Sequence, residues 1–194
     1  MEKTATFNFA CGLMKEDELA LAGIEDYKNP LLTWVKLVFT DDQSNKNDQG
    51  IKQEEFTNLI KSMTWMPIKA SYNAESGLGG HDEAVQIGVI KTGEQLDNKI
   101  VTIGALYNDE NIEIVDFIKN QFTEDSQVNF SWEVRYKTSD TDEAGTEWLK
   151  EVTTKAITAV EHPAYDGRTP LLSISSIDFL KAVEEELIAR GEKL

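Results

Sequence analysis

The chain has 194 residues, 40% hydrophobic and 28% charged, with a net charge of -16. That suits one globular domain with a sizeable core, or one domain with an appendage. The acidity argues against nucleic acid, which needs clustered Lys and Arg, and against an anionic membrane surface. One cysteine, Cys11, excludes an internal disulfide framework and fits a reducing compartment. No apolar run reaches the length of a membrane span, and Met1–Thr4 lacks the pattern of a signal peptide.

In chain order, residues 1–30 mix short apolar pieces with acids and predict a loosely attached arm. Leu31 to Thr40 is bulky and β-branched, as in a strand. Asp41 to Gly50 is a polar loop. Its Asn45, Asn47, Gln49 and Gly50 follow the first half of a calcium loop, but Phe56 stands where the closing carboxylate belongs, so a solvated turn is the better reading. Phe56, Leu59, Ile60 and Met63 recur at helical spacing within Gln53–Met63. Trp65-Met66-Pro67-Ile68 ends that helix and starts an extended segment. Asn73 to Gly80 is flexible and ends Gly77-Leu78-Gly79-Gly80.

Val85 to Ile90 and Lys99 to Tyr107 predict a strand pair, with a turn over Lys91–Asn98. Asn111 to Phe122 is an amphipathic helix built on Ile112, Val115, Ile118 and Phe122. Val128 to Tyr136 alternates without a break: Val128, Phe130, Trp132, Val134 and Tyr136 on one face, Asn129, Ser131, Glu133 and Arg135 on the other. Thr138 to Gly145 reads as a polar loop, Trp148 to Val160 as β-rich, and Pro163 to Pro170 as a turn-rich loop. Ser176 to Ala189 predicts an acidic helix. The fold class is α+β, a mainly antiparallel, barrel-like sheet with a few flanking helices. The expected division is an arm over 1–30, a main domain over 31–175 and a C-terminal acidic helix over 176–194.

The chemistry centres on Ser131 and the two histidines, His81 and His162. A serine nucleophile at neutral pH needs a base within hydrogen-bond reach, most often histidine. His81 follows Gly79-Gly80, whose backbone has unusual freedom, and precedes a strand. Glu133 leaves the same face as Ser131, ~6.6 Å along the strand, where it can orient a histidine that also reaches Ser131 or pair with Arg135 or Lys137. Cys11 has no histidine near it in sequence. There is no P-loop, dinucleotide fingerprint or His/Cys metal spacing, so no cofactor or metal is expected.

Several segments, in order, resemble the prohead (capsid-maturation) proteases of tailed phages, relatives of the herpesvirus assemblins. They are Phe39–Phe56; Met66-Pro67-Ile68 with Gly79-Gly80-His81 and Ile87-Gly88-Val89-Ile90; Phe130-Ser131-Trp132-Glu133; Ala156 to Ala164; and Tyr165 to Pro170. His81 and Ser131 stand 50 residues apart, as in such enzymes. The resemblance covers about residues 34–172. It implies a serine endopeptidase with Ser131 as nucleophile and His81 as base, cleaving the tails of scaffold and major capsid proteins, and itself, inside the procapsid in the host cytoplasm. Self-association is expected; nucleic-acid and membrane partners are not. The third catalytic position departs from the family. Alignment on Pro163-Ala164 puts Ala156 where an acid or second histidine belongs. Glu133, His162 and Asp82 are the substitutes, with Glu133 preferred; a His81–Ser131 dyad is the fourth option. The alternative function is an inactive, protease-fold structural or scaffold component of the capsid.

Overall fold

The computed structural model describes residues 12–13, 19–20, 22–24, 29–123 and 127–175. The strands in chain order are β1 (Gly12–Leu13), β2 (Leu32–Asp41), β3 (Gln49–Gly50), β4 (Pro67–Ala70), β5 (Tyr72–Asn73), β6 (Gly77–Leu78), β7 (Val85–Leu96), β8 (Lys99–Tyr107), β9 (Asn129–Arg135), β10 (Thr138–Thr141), β11 (Glu147–Lys150), β12 (Thr153–Val160) and β13 (Leu171–Ile174). Helices α1 (Phe56–Ser62) and α2 (Ile112–Thr123) complete an α+β fold. Eight strands form the main sheet in the order β1-β13-β2-β8-β7-β4-β12-β9. Most neighbours are antiparallel; β12 runs parallel to β4, and β1 parallel to β13.

The sheet curls as a half-barrel until its far edge meets the segment entering β13. There the Phe130 amide donates to the Thr169 carbonyl at 3.0 Å, the Leu171 amide to the Val128 carbonyl at 2.8 Å, and the Thr169 hydroxyl to the Phe130 carbonyl. Curling gives the sheet a concave face to fill. Leu37, Phe39, Ile68, Ile87, Ile90, Ile100, Phe130 and Ile157 all bury there. Helix α1 covers it through Phe56 and Leu59, whose three-residue spacing puts both on one stripe. A 3-10 turn, Gln53–Glu55, leads into α1.

Three local expectations change. Residues 91–96 continue β7, so the turn shrinks to Asp97-Asn98, with Asp97 at φ 53. The first half of the predicted loop over 138–145 is strand: β10 pairs with β11 from Thr138↔Lys150 to Thr141↔Glu147. Ladder bonds are made by the backbone and need no apolar face, so polar, exposed strands escape a hydrophobicity-based reading. Asp142 closes that hairpin by accepting the amides of Ala144 and Thr146, each at 2.9 Å. The first thirty residues are not all loosely attached either. β1 joins the main sheet, and Leu19 and Ile24 bury against Trp34, Ile103 and Ala105. The predicted helix over 176–189 and Cys11 lie outside the described residues.

Asp41, only 2% exposed in its side chain, meets the guanidinium of Arg168, which also donates to the Ser44 carbonyl at 2.6 Å and lies over the Tyr165 ring. This ion pair ties the 41–50 loop to the 161–170 loop; the Lys46 amide bond to the Ala164 carbonyl, 2.9 Å, adds to it. Asn45, whose spacing mimics a calcium loop, spends its side-chain oxygen on the amides of Asn47 and Gln49. Removing one partner of a buried pair strands the other charge. Arg168→Met should therefore cost about 3–5 kcal/mol in urea unfolding, and Asp41→Asn combined with Arg168→Met should cost less than the single change. Equal losses would show that the pair does not carry the tie.

Candidate active site

Strand β9 sits between the core and solvent. Period-2 alternation sends Phe130 inward, and Trp132 and Val134 pack partly against the core. Ser131 and Glu133 project outward. Tyr136, expected on the apolar face, is 44% exposed because β9 ends at Arg135, beyond the core. Antiparallel pairing with β12 puts Ser131 opposite Thr158 and Glu133 opposite Ala156. The register shifts between Thr154 and Ala156, so Lys155 is an extra residue in β12, as at a bulge. Beyond β12, parallel pairing places Lys69 of β4 beside Thr158.

His81 arrives from a loop, pinned just upstream. The Gly79 amide donates to the Ser71 carbonyl at 2.9 Å, and the Ser71 hydroxyl donates to the Gly80 carbonyl at 3.1 Å. A Cβ on Gly79 would lie 2.4 Å from Ser71 Oγ, so a side chain there would turn the Ser71 hydroxyl off the Gly80 carbonyl. The short β5–β6 hairpin, pairing Tyr72 with Leu78, holds the base of the loop.

The three residues singled out from the sequence come together. His81 Nε2 is 3.0 Å from Ser131 Oγ. His81 Nδ1 is 3.5 Å from Glu133 Oε1, an electrostatic contact longer than an ordinary N–H···O bond. With the proton on Nδ1, facing the carboxylate, Nε2 presents its lone pair to the serine hydroxyl. The order is serine, imidazole, carboxylate.

Glu133 is 16% exposed in its side chain and well supplied with donors. Lys155 Nζ lies 2.9 Å from Oε2; Lys69 Nζ lies 3.2 Å from Oε1 and 3.5 Å from Oε2; the Thr158 hydroxyl donates to Oε1 at 3.2 Å. Burial pushes the carboxyl upward, but the hydrogen bonds and charges of Lys155 and Lys69 outweigh it and bring its pKa down to about 2. Lys69, Lys155 and Thr158 carry no sequence signal of their own. What points to them is the need of a half-buried carboxylate for partners, and strand order decides which residues those are.

Ser131 and His81 line a cleft of about 540 Å³. Leu78, Gly79, Gly80, Val160, Pro163 and Ala164 form much of its wall, with Lys46, Asn47, Glu161 and His162 as polar members. His162 is thus in the cleft, but its side chain is 90% exposed and its Nε2 contact is Glu161, at 3.7 Å. Asp82 is exposed on the same loop as His81. Ala156, paired with Glu133, offers only a buried methyl. Among the described residues no group of three or more His, Cys, Asp or Glu is placed to hold a metal ion, and no helix is long and apolar enough to cross a membrane. In comparisons with protein-family models, curated proteins and solved structures, nothing matches this chain.

The ionisation of Glu133 has a thermodynamic signature. Its folded-state pKa, about 2, lies below the ordinary 4.5. The ionised form therefore favours folding above about pH 4.5, and that contribution disappears as pH falls through 2. Wild type should exceed Glu133→Gln in unfolding free energy by on the order of 1–2 kcal/mol at neutral pH, allowing for screening at half-exposed Lys155. The difference should shrink between pH 4.5 and 2. A difference that stays constant down to pH 3 contradicts this ionisation.

Proposed function

We propose that this protein is a serine endopeptidase of phage procapsid maturation, with Ser131 as nucleophile, His81 as general base and acid, and Glu133 as the carboxylate behind the histidine. The observation that carries the reading is the 3.0 Å contact between His81 Nε2 and Ser131 Oγ at the wall of an open cleft, with Glu133 on the Nδ1 side. Two polar residues meeting on a protein surface need no such arrangement. A nucleophile, a base in reach of it and a charge on the far side of the base is what acyl transfer needs.

In the reaction, Ser131 Oγ attacks the scissile carbonyl carbon while its proton passes to His81 Nε2. Glu133 steadies the imidazolium that forms. Nε2 returns the proton to the amide nitrogen as the C–N bond breaks, leaving an acyl ester on Ser131. Water then attacks the ester and gives its proton to Nε2; the acyl C–O bond breaks, Ser131 Oγ takes that proton back from Nε2, and the product leaves with a new carboxyl terminus. Glu133, on β9 beside its nucleophile, occupies the role that the family gives to a late-strand residue; its cross-strand neighbour there is Ala156.

The procapsid setting draws on the ordered resemblance from the 39–56 loop to Tyr165–Pro170. By that resemblance the substrates are the tails of scaffold and major capsid proteins and the enzyme's own chain, cut inside the assembling procapsid in the host cytoplasm. A second reading, an inactive structural component of the capsid, draws on the 3.5 Å spacing of Nδ1 and Glu133.

Co-expression with the capsid and scaffold proteins separates the two. Wild type should shorten at least one of those chains or its own, and Ser131→Ala and His81→Ala should each lower the rate by about 10³-fold or more. If wild type leaves every chain full length, the protease reading fails and the structural one stands.

A further inference from the structure

Two lysines crowd the carboxylate behind His81, and neither lines the cleft. Lys155 holds Glu133 Oε2 at 2.9 Å, and Lys69 bridges both oxygens at 3.2 and 3.5 Å. The Thr158 hydroxyl, fully buried, adds a third donor at 3.2 Å on Oε1, the oxygen that faces the imidazole. The carboxylate is thus held by three residues on two neighbouring strands, which fixes its rotamer without help from His81. The charges do not cancel: two ammonium groups surround one carboxylate, leaving a surplus of one positive charge beside the base. Lone surface lysines do not produce this. It needs the extra residue in β12 that brings Lys155 to Glu133 and the parallel β4–β12 register that brings Lys69.

We propose that Lys69 and Lys155 are positioning residues for this reaction, clamping Glu133 in the rotamer that faces His81 Nδ1 and setting their surplus positive charge against the carboxylate's pull on the imidazole. The inference rests on the reading of His81 as the base. A bare carboxylate beside an imidazole favours the imidazolium. That helps in the transition state but removes the base from the resting enzyme as pH falls. The lysines offset part of that attraction and retain the orientation. The other charged or titratable groups around the site are Lys46, paired with Asp166 at 2.6 Å, and Glu161 and His162 across the cleft, with Asp82 and Glu83 on the histidine's own loop.

Because the chain has two histidines, the test is direct. In the full chain carrying His162→Gln, the one remaining imidazole is that of His81, and its titration is followed by NMR. Lys155→Met and Lys69→Met should each raise its midpoint by roughly half a unit to one unit. Lys155→Arg should leave it in place, and Glu133→Gln should lower it. Should Lys69→Met fail to fold, Lys155→Met, at a half-exposed position, carries the test. In peptide hydrolysis the acid limb of the pH profile should move with the midpoint. The Met variants should lose on the order of tenfold in kcat with KM within about twofold, since neither lysine touches the cleft. Midpoints that stay put in both Met variants overturn the clamp. Midpoints that move in a chain whose wild type cleaves nothing support the clamp and sink the protease reading instead.

Discussion

Antiparallel pairing of β9 with β12 is the constraint on which the rest of the site depends. It is a backbone ladder with one irregularity, and it fixes side chains two strands deep. Ser131 lies opposite Thr158, Glu133 opposite Ala156, and parallel pairing with β4 adds Lys69 to the same outer face. A slip of one residue in β9 would turn Ser131 and Glu133 into the core and Phe130 out to water. Phe130, 1% exposed, opposes that slip. Burying a phenylalanine is worth about 1.5–3 kcal/mol, more than a surface hydrogen bond contributes, so core packing sets the register and the register places the chemistry.

The remaining member of the site does not come from the sheet. His81 is carried on a loop held by two hydrogen bonds with Ser71, which a side chain at Gly79 would disturb by displacing the Ser71 hydroxyl. The opposite side of the cleft is fixed separately, by Arg168 between Asp41 and the Ser44 carbonyl and by the Lys46–Ala164 backbone bond. The cleft thus lies between a half-barrel edge and two loops that are tied to each other. On the proposed protease reading, the proximity of His81 and Ser131 in such a frame lowers the entropic cost of bringing reacting groups together.

Some of this was legible in the sequence. Unbroken alternation from Val128 put Ser131 and Glu133 on one face, and the glycine pair before His81 marked a loop able to present it. The barrel-like, mainly antiparallel α+β class followed from strand-rich segments with two amphipathic helices between them. Other parts were not legible, for physical reasons. Which strands lie side by side is a long-range outcome, so the joint action of Lys69, Lys155 and Thr158 on Glu133 has no local signature. The strands over 91–96 and 138–141 resemble turn and loop in sequence because their residues are polar, whereas the ladder that holds them is made by backbone groups. The packing of Leu19 and Ile24 against Trp34 likewise depends on where the sheet puts Trp34.

On the proposed function, Ser131 is a nucleophile activated by His81. A fluorophosphonate tests this, because it modifies an activated serine without requiring knowledge of the substrate. Mass spectrometry of the treated wild type should find one phosphonyl adduct, on the peptide containing Ser131, and His81→Ala should abolish it. No adduct on wild type, or an adduct of equal yield in His81→Ala, would contradict the account.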